Sequence, residues 1–442
     1  MRGLQLSDDS RVVIVGGGPS GSFTALHLLE RAAALRRRIH VTILEGRDFN
    51  KAGPVGCNKC AGILSSGLTR GLERLGLRLP ADVIQSELDT YVLHDGSFQL
   101  PIHQADAARR IISVYRGAGP RLGKGPVPRS FDDWLLREAQ QRGAEVHKAR
   151  AQSIQAPSGA APSGARLAGA APRPVVTTSL GTLEADLLVL ASGVNSRVQI
   201  DDAFGYHPPN TEVMAQDEVQ LPEGNRGGQV HIYFDHPRGL LFGALIPKGR
   251  YTNVSLLGRG MPADAMRQFL AHHQILGSGD CENLLLCGCA PRVAVQAAQS
   301  FYADRFVTVG DAAVTRLYKD GIGSAFLTAE AAARTALEKG VGREDFQAGY
   351  RPLCDTITRD NRYGRFLFDL WTGSRRFGLV RRSWLRAVEL ESRRPAARRP
   401  HTKILWGMFT GDYSYESMFW QALSLPSLAS VTAGLLASGG KR

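Results

Sequence analysis

Residues 11–21 read RVVIVGGGPSG, a β-branched run that ends abruptly in glycines. A helical pattern of apolar residues follows over Ser22 to Arg36, and a second β-branched run covers Ile39 to Leu44. The order strand, glycine turn, helix and strand predicts a βαβ unit. Its glycines fit the G-x-G-x-x-G pattern in the strand-to-helix context that this pattern requires. The stretch therefore predicts a dinucleotide-binding site at this turn.

The residues of the turn have separate roles in such a site. Gly16 permits the tight turn, and Gly18 lets the backbone approach a pyrophosphate. Gly21 allows close packing of helix and strand, and the helix N-terminus offers unpaired N–H groups to the phosphates. Glu45, at the end of the second strand, can accept hydrogen bonds from ribose hydroxyls.

Composition limits the class of protein. The chain has 442 residues, of which 43% are hydrophobic and 21% charged, and these values are typical of a globular protein of two or three domains. The net charge of +13 favours anionic partners without choosing among them. No apolar run reaches the ~18 residues of a membrane span. We see no secretory signal, and six cysteines then indicate reduced thiols in the cytoplasm.

A second pair of strand ends indicates which dinucleotide binds. Leu187 to Ala191 is an apolar strand, and Phe306 to Val309 is another that ends at Gly310-Asp311. An aspartate at such a turn can bond the ribityl hydroxyls of FAD. Gly321-Ile322-Gly323 then begins a long helix, whose N-terminus would stabilise negative charge on a reduced flavin. The pattern favours FAD over a nicotinamide cofactor.

The remaining pattern predicts a mixed architecture, α/β together with α+β. Alternating hydrophobicity from Glu212 to Leu257 indicates a largely antiparallel sheet, and the chain beyond Gly349 is helical in pattern. We predict a Rossmann-like, discontinuous FAD-binding domain with an inserted β-sheet substrate domain and a helical C-terminal region. The predicted FAD-binding domain covers residues 1–80, 125–200 and 290–345. The predicted substrate domain covers 81–124 and 201–289, and the helical C-terminal region covers 346–442.

Three segments carry a family resemblance. GGGPSG at 16–21, ADLLVLASGVNSRV at 185–198 and FVTVGDAA at 306–313 resemble the FAD fingerprints of the para-hydroxybenzoate hydroxylase-fold flavoproteins in type, order and spacing. Within that group the chain is most similar to the geranylgeranyl reductase family, over residues 10–420. Two departures stand out: Ala191-Ser192-Gly193 stands where the family has an acid-glycine pair, and the Pro-x-x-Gly-x-Gly before the last helix is shortened to Arg316–Gly321, without the Pro and the first Gly.

The resemblance implies FAD as cofactor, with NAD(P)H or reduced ferredoxin as electron donor. It implies binding through the fingerprint residues and one of two arginines. These residues are Gly16, Gly18, Ser20, Gly21, Glu45, Arg116 or Arg129, Gly310, Asp311, Gly321, Ile322 and Gly323.

Cysteines form a second candidate site. Cys60-Ala61-Gly62 is similar to a Cys-x-Gly element beside the isoalloxazine of the archaeal-type reductases, so Cys60, with Cys57 next to it, is a candidate catalytic thiol. Alternatively, Cys57, Cys60, Cys287 and Cys289 would form a thiolate set suited to zinc or an iron–sulfur cluster. Buried, inert thiols are a third interpretation, and we expect it for Cys281 and Cys354.

The substrate side is less defined. Residues 242–254 resemble the strand pair that lines the prenyl pocket of the reductases, which makes Phe242 and Pro247 candidate substrate contacts. An ordinary central sheet fits this segment equally well. His94, His103 and His231 are isolated in the sequence, and we expect them to be ordinary surface or core histidines.

Nine arginines lie between Arg375 and Arg399, interleaved with aromatic residues. A basic, aromatic-bearing helical region can lie on an anionic leaflet, which predicts peripheral contact with the inner face of a membrane. A merely solvated basic face is the alternative. The FAD fingerprints make nucleic acid an improbable partner.

We therefore predict an FAD-dependent oxidoreductase that reduces carbon–carbon double bonds of an isoprenoid or another hydrophobic or lipid substrate, by hydride transfer from reduced flavin. This substrate class, and with it a place in lipid metabolism, rests on the family resemblance. The first alternative is a flavin-dependent monooxygenase of the same fold. The second is an electron-transfer flavoprotein with a cysteine-bound metal or iron–sulfur site, working with an electron-donor protein.

Overall fold

The computed structural model places the N-terminal βαβ unit inside a six-stranded sheet. The structure describes residues 4–56, 60–96, 98–104, 106, 108–120, 122–123, 126–157, 172–195, 197–221, 227–374, 378–395 and 398–439. In spatial order the strands are β19 (Tyr302–Ala303), β20 (Phe306–Thr308), β12 (Leu187–Leu190), β1 (Ser10–Val15), β2 (Ile39–Leu44) and β8 (Glu145–His147). All pairs except β19–β20 are parallel. The carboxyl ends of the central strands therefore meet at one edge, where ligands of such sheets bind.

Three helices cover this sheet: α1 (Pro19–Ala34), α3 (Phe131–Gln141) and α6 (Gly321–Glu338). The predicted strands and helices are confirmed here to within three residues. Helix α1 begins earlier than its apolar periodicity indicates, because Pro19 occupies the first turn, where its fixed φ and missing N–H are tolerated. Phe23 and Phe326 join α1 to α6 edge-to-face, with ring centroids 5.2 Å apart.

His27 lies in the same apolar interface between α1 and α6. It is 4% exposed, and its ring meets Phe326 at 4.9 Å. Burial, with a smaller contribution from nearby arginines, lowers the pKa of His27 to about 3. The folded protein therefore keeps this ring neutral at any pH where proteins are usually studied. Below about pH 6.5 the unfolded chain binds a proton that the folded chain excludes, so stability falls as the pH falls.

We expect the unfolding free energy to fall between about pH 7 and pH 5 by roughly 2 kcal/mol more in the wild type than in His27→Leu. Urea denaturation at both pH values measures this difference. His207→Leu, at an exposed histidine, is the control and should keep the wild-type pH dependence. Equal pH dependence of the wild type and His27→Leu would contradict a neutral buried ring.

A second, seven-stranded sheet is largely antiparallel, as the sequence predicts. In spatial order its strands are β18 (Arg292–Ala294), β14 (Thr211–Val219), β17 (Tyr251–Gly258), β16 (Leu240–Lys248), β15 (Gln229–Tyr233), β5 (Thr90–Asp95) and β6 (Phe98–His103). Only β15 and β5 run parallel. Two distant parts of the chain, residues 90–103 and 211–294, thus build one sheet.

Both faces of the seven-stranded sheet are buried, and β16 shows how. Phe242, Ala244 and Ile246 belong to the core on one face, and Leu245 belongs to the core on the other, as the two-residue period of a strand requires. Strict alternation would place Leu240 on the same face as Phe242 and Ala244, but Leu240 lies on the face of Leu245. A register shift between Leu240 and Phe242 inserts the extra residue that reverses the alternation.

Two smaller sheets and three short helices lie outside these two large sheets. A four-stranded sheet has the order β11 (Gly181–Glu184), β10 (Val175–Thr178), β9 (Ala151–Gln155) and β13 (Gln199–Ile200), and a three-stranded sheet has the order β3 (Ile63–Leu64), β7 (Ile112–Val114) and β4 (Ile84–Glu87). Residues 156–174 connect β9 to β10, and 158–171 lie outside the described residues. Three short helices are α2 (Ser66–Arg74), α4 (Ala265–His272) and α5 (Ser278–Asn283).

The C-terminal region is helical, as predicted. It contains α7 (Arg343–Gly349), α8 (Arg351–Ser374), α9 (Gly378–Glu391), α10 (Pro400–Phe409), α11 (Tyr415–Ala422) and α12 (Leu425–Gly439). Trp406 of α10 meets Tyr91 of β5 edge-to-face at 5.3 Å, which fixes this region on the seven-stranded sheet. Within the described part of the chain, no single helix is long and apolar enough to span a bilayer. Residues 415–422 and 425–436 together have that length and apolar character, but the two helices are bent by 60° relative to each other.

Candidate dinucleotide-binding site

The glycine turn after β1 has the close contacts that only glycine allows. Gly16 has φ +108°, and a Cβ on it would lie 2.6 Å from the Ala191 carbonyl oxygen. A Cβ on Gly21 would overlap the Gly16 carbonyl oxygen itself. The turn is therefore wedged between the start of α1 and the end of β12, and it brings the first two predicted fingerprints together.

The N-terminus of α1 is open toward one side. Gly18 is the N-cap and gives the helix no side-chain cap, so the first N–H groups keep their partial positive charge. A Cβ on Gly18 would find only Arg116 Nη2 at 3.5 Å and Asp132 Oδ2 at 3.8 Å. Backbone N–H groups, space and an arginine at one helix end are what a pyrophosphate requires.

Arg116 is held in place by Asp132. Its Nε donates to Asp132 Oδ1 at 3.0 Å and its Nη2 to Oδ2 at 2.9 Å. Burial acts to lower the pKa of Arg116, but Asp132 and the nearby Cys60 outweigh it and raise the pKa above its ordinary value. A permanent, pre-oriented positive charge thus faces the glycine turn. Of the two predicted arginines, Arg116 occupies this position.

The other predicted arginine lies elsewhere. Arg129 Nη1 lies 3.3 Å from Asp82 in an ion pair whose side chains are both more than 40% exposed. Asp132, three residues after Arg129, is the partner of Arg116. The segment that carries Arg129 therefore reaches the glycine turn through Asp132 and not through Arg129 itself.

Glu45 closes the far side of the turn. Its carboxylate accepts hydrogen bonds from the N–H of Gly17 at 2.8 Å and of Arg47 at 2.7 Å. Each oxygen keeps a second lone pair, so a ribose hydroxyl can still donate to this group. Glu45 therefore shapes the turn as well as offering the acceptor predicted for it.

The third fingerprint meets the first. Gly310 has φ +62°, donates to Thr328 Oγ1 at 2.9 Å, and a Cβ on it would overlap the Ser20 hydroxyl. A Cβ on Gly321 would lie 3.7 Å from Asp311 Oδ1. Ser20, Gly310, Asp311 and Gly321 thus lie along one path, from the start of α1 to the start of α6.

Asp311 is the carboxylate on this path. Burial raises its pKa, and the positive charge of Arg116 opposes that shift only in part. Arg116 is therefore close enough to act on Asp311 as well as on the turn. A carboxylate beside a helix N-terminus, with polar neighbours, suits hydrogen bonding to hydroxyl groups of a ligand.

The start of α6 is tightly built. Asp320 is its N-cap with φ +52°, and a Cβ on Gly323 would collide with the Asp320 carboxylate. Ile322 is buried in the core. The neighbouring Lys319 is buried, and it donates to the carbonyls of Gly407 at 2.6 Å and Tyr413 at 3.0 Å. Lys319 thus ties α6 to the C-terminal helices, while Gly321 remains the residue that faces Asp311.

The sequence pattern does not indicate that a buried lysine, Lys248, lies near Cys60. Lys248 is 1% exposed, and its Nζ lies 3.0 Å from Glu218 Oε1 and 3.3 Å from the Cys60 carbonyl oxygen. The same Nζ lies 5.0 Å from the centre of the Tyr115 ring. Lys248 and Glu218 are on β16 and β14, far from Cys60 in sequence, so no local pattern marks them as a pair.

The cysteines do not gather into the alternative metal site in the part of the chain that is described. Cys287 and Cys289 lie with their Sγ atoms 3.3 Å apart, but Cys60 does not join them in a group of metal ligands. Cys57 lies outside the described residues. Cys281 and Cys354 are buried, as expected of core thiols.

The two candidate substrate contacts lie at opposite ends of β16. Phe242 packs against Phe409 and Phe368, with ring centroids 5.7 and 6.2 Å apart. Pro247 lies five residues further, roughly 17 Å along an extended strand, beside Lys248, and its carbonyl accepts from Ser113 Oγ at 2.6 Å. The Pro247 end is the one near Cys60.

Two of the three histidines that are isolated in the sequence lie together in the core as a hydrogen-bonded pair. His94 Nε2 lies 2.8 Å from His231 Nδ1, and the His94 ring stacks on Tyr233 at 4.1 Å. The pair forms because β5 and β15 are neighbours in the sheet, a pairing across 137 residues that sequence spacing cannot reveal. His103 lies 3.0 Å from Thr90 Oγ1.

Comparison with known proteins gives a clear result only at the level of structure. No protein-family model matches the sequence, and no curated protein matches it significantly. The structure is similar to a geranylgeranyl bacteriochlorophyll reductase-like protein from Thermoplasma acidophilum, with a TM-score of 0.59 and 14% identity over 98% of this chain and 100% of that one. A flavin-dependent brominase matches with a TM-score of 0.58 and 14% identity over 94% and 98%. The chain has the fold of flavin-dependent enzymes.

A third neighbour shows how little this fold says about the reaction. It is 2-methyl-3-hydroxypyridine-5-carboxylic acid oxygenase, with a TM-score of 0.56 and 18% identity over 80% of this chain and 90% of that one. One fold thus carries a reductase-like protein, a halogenating enzyme and an oxygenase. At such identities the likeness establishes the fold, and the chemistry has to be argued from the residues.

Proposed function

We propose that this protein is an FAD-dependent oxidoreductase. The observation that carries the proposal is the open N-terminus of α1 with Arg116 fixed beside Gly18. Gly16, Gly21 and Gly310 are the positions where a side chain would collide with the backbone or with Ser20, and together they form a cradle for an extended, anionic ligand. The fold of the neighbours and the order of the fingerprints support FAD as that ligand.

The residues present fit FAD along its length. Gly18 and Arg116 would hold the pyrophosphate, Glu45 the adenosine ribose and Asp311 the ribityl chain, and the start of α6 would face the flavin ring. Bound FAD would supply two-electron redox chemistry. The role of the protein is to orient the substrate against the flavin and to exclude water.

Cys60 is the candidate for moving a proton, and Lys248 is the candidate for holding the backbone of Cys60 in place. Cys60 lies next to Arg116 and receives a hydrogen bond from the Gly62 N–H at 3.3 Å. Lys248 is fixed by Glu218 and reaches the backbone of Cys60. We propose that Cys60 supplies the proton that accompanies hydride addition to a double bond, and that Lys248 positions the loop that carries it.

The substrate would approach between the seven-stranded sheet and α8. A cleft of about 570 Å³ opens there, lined by Leu240, Leu241, Phe368 and Tyr318 among others. Tyr318 lines this cleft and lies two residues before the N-cap of α6, the helix whose start would face the flavin ring. Its rim carries both acidic and basic groups, among them Arg259 and Glu212, which suits a substrate with an apolar body and a polar head. An isoprenoid or other lipid alkene meets this description.

The decisive experiment follows flavin reoxidation. The purified holoprotein is reduced without oxygen and mixed with a prenyl lipid, with its saturated counterpart, or with oxygen. We expect the alkene to reoxidise the flavin and to be recovered as the reduced product, while the saturated lipid leaves the flavin reduced. Rapid reoxidation by oxygen with an oxygenated product, and none by prenyl alkenes, would replace the reductase proposal with the monooxygenase of the same fold.

We further propose that the protein docks on an anionic membrane at its cytoplasmic face. Large apolar side chains project from α8 and from the segment that contains α11 and α12, each more than half exposed: Phe366, Leu370, Trp420, Leu423, Leu425, Leu428 and Leu436. Exposed arginines accompany them, namely Arg359, Arg362, Arg365, Arg393, Arg394 and Arg398. Arg375 and Arg376, and the side chains of Arg381 and Arg382, lie outside the described residues. Apolar surface bordered by positive charge fits an anionic bilayer better than water.

Binding to vesicles tests this surface. We expect the protein to sediment with vesicles rich in anionic lipid, less with neutral vesicles, and less at high salt. Leu425→Ser, at a side chain that is 82% exposed, should weaken binding. Leu180→Ser, at a 72% exposed side chain on the β10–β11 hairpin, is the control. Equal binding of both variants and the wild type would contradict the assignment.

A further inference from the structure

Five of the eleven histidines lie around one cleft that is separate from the cofactor-binding residues described above. The cleft has a volume of about 470 Å³ and is lined by His94, His231, His272 and His273 together with Tyr233 and Asp235. His236 borders it by stacking on His272 at 4.1 Å. These residues come from β5, β15 and the end of α4, so the fold assembles the cluster from distant parts of the chain.

Three side chains of the cleft point their ligand atoms at one another. His273 Nε2 lies 3.6 Å from Asp235 Oδ1, and His272 Nε2 lies 4.0 Å from Asp235 Oδ2. All three groups fall within 4.8 Å, and they are the one group with this arrangement among the described histidine, cysteine and acidic residues. We propose that Asp235, His272 and His273 bind a divalent transition-metal ion such as zinc.

The spacing favours a metal over a hydrogen-bonded ion pair. Both distances exceed that of a hydrogen bond, whereas two ligands of one tetrahedral zinc ion, each ~2.0–2.2 Å from it, lie about 3.4 Å apart. Small rotations of the side chains would therefore complete the site. Two imidazoles and one carboxylate form a ligand set used for zinc and for non-haem iron, with coordination positions left open.

His273 provides the second line of evidence. Its side chain is 9% exposed and its Nε2 is buried without a hydrogen-bond partner, although it points toward Asp235. Leaving a buried ring nitrogen unsatisfied costs free energy, and a metal ion would satisfy it. The ring also makes a hydrogen bond with the His236 backbone, the kind of outer contact that orients a histidine ligand.

The scaffold holds the ligands rigidly on one side and leaves access on the other. Tyr233 packs on Phe269 and on His273, with ring centroids 5.3 and 4.4 Å apart, so the end of α4 is fixed to the end of β15. His272 is 49% exposed and Asp235 31% exposed, which lets an ion enter from solvent. Packing thus fixes His273, and the other two ligands remain accessible from solvent.

Zinc binding to the purified holoprotein tests the proposal. We expect one zinc ion per chain by calorimetry and by metal analysis after dialysis. Asp235→Asn and His272→Gln should each weaken binding at least ~10-fold. Both replace partly exposed side chains, and flavin content and thermal unfolding verify that they fold. His40→Gln is the matched control, because His40 also lies 3.3 Å from an aspartate, Asp9, and no third ligand among the described residues joins that pair.

Cobalt gives an independent readout, since a tetrahedral Co²⁺ site absorbs in the visible range and appears in a difference spectrum over the flavin bands. Loss of that signal in His272→Gln, with the signal kept in His40→Gln, supports the assignment. Zinc affinity unchanged in Asp235→Asn and His272→Gln would overturn it. So would zinc binding that disappears when a thiol reagent blocks the cysteines, because the ion would then belong to Cys287 and Cys289.

Discussion

Gly21→Ala is expected to abolish stable flavin binding. The new Cβ would overlap the Gly16 carbonyl oxygen and lie 3.2 Å from Ile14 Cγ2. Neither neighbour can yield easily, because the Gly16 backbone is itself pressed against Ala191. Relieving such an overlap costs about 1–3 kcal/mol, and it moves the N–H groups that face the pyrophosphate. Flavin content measured by absorbance and unfolding measured in urea should both fall.

A glycine-to-alanine substitution in a helix outside the site distinguishes this effect from the general effect of such a substitution on a helix. Gly373 lies in α8, and a Cβ on it would meet nothing within 4 Å. Gly373→Ala should therefore keep full flavin content and gain up to ~1 kcal/mol of stability. If Gly21→Ala bound flavin as tightly as Gly373→Ala, the turn would not be the pyrophosphate site.

Asp311→Ala is expected to weaken flavin binding by ~10–100-fold, because a hydrogen bond to a charged group contributes about 1.5–3 kcal/mol. The carboxylate lies between Arg116 and the start of α6, where the ribityl chain would pass. Equilibrium dialysis or fluorescence titration of the apoprotein with FAD measures the change. Asp304→Ala serves as control. Asp304 lies before β20, at the end of that strand opposite to Asp311, and its carboxylate accepts a hydrogen bond from the N–H of Arg343 at the start of α7.

The pH dependence of FAD affinity gives a second readout on Asp311. Burial raises the pKa of this carboxyl group, so it takes up a proton at a higher pH than an ordinary aspartate. The protonated group is a weaker hydrogen-bond acceptor. As the pH is lowered, FAD affinity should therefore begin to fall at a higher pH than it would if Asp311 had the pKa of an ordinary aspartate. Asp311→Asn should remove that dependence. Wild-type affinity in Asp311→Ala would show that the ribityl contact is placed wrongly.

Local sequence patterns predicted the central part of the fold. The βαβ unit follows from alternating apolar residues and from glycines at a turn, and both signals lie within one stretch of chain. The same applies to β20 and α6 with Asp311 between them. Such elements are predictable because hydrophobic period and turn chemistry are properties of neighbouring residues.

The contacts that complete the site were not predictable in this way. Arg116 meets Asp132, and Lys248 meets both Glu218 and Cys60, only after distant strands have paired. The histidine pair of β5 and β15 arises in the same manner. A single sequence carries no record of such pairings, and the resemblance directed attention to Arg129 when its own segment supplies Asp132.

The reaction is also beyond what the fold decides. The structural neighbours include a reductase-like protein, an oxygenase and a brominase. These chemistries differ in what meets the reduced flavin and in what is kept away from it. In this chain the residues that would make the difference are Cys60, Lys248 and the lining of the cleft at Tyr318, and they are the places where substitutions will discriminate.

The expectations for the cofactor site and for the reaction depend on FAD lying between α1 and α6. The most direct measurement is the amount of FAD released from pure, folded protein on denaturation, with apoprotein first offered the cofactor. We expect one FAD per chain and a yellow protein. Folded protein that stays colourless and takes up no FAD would contradict the proposal.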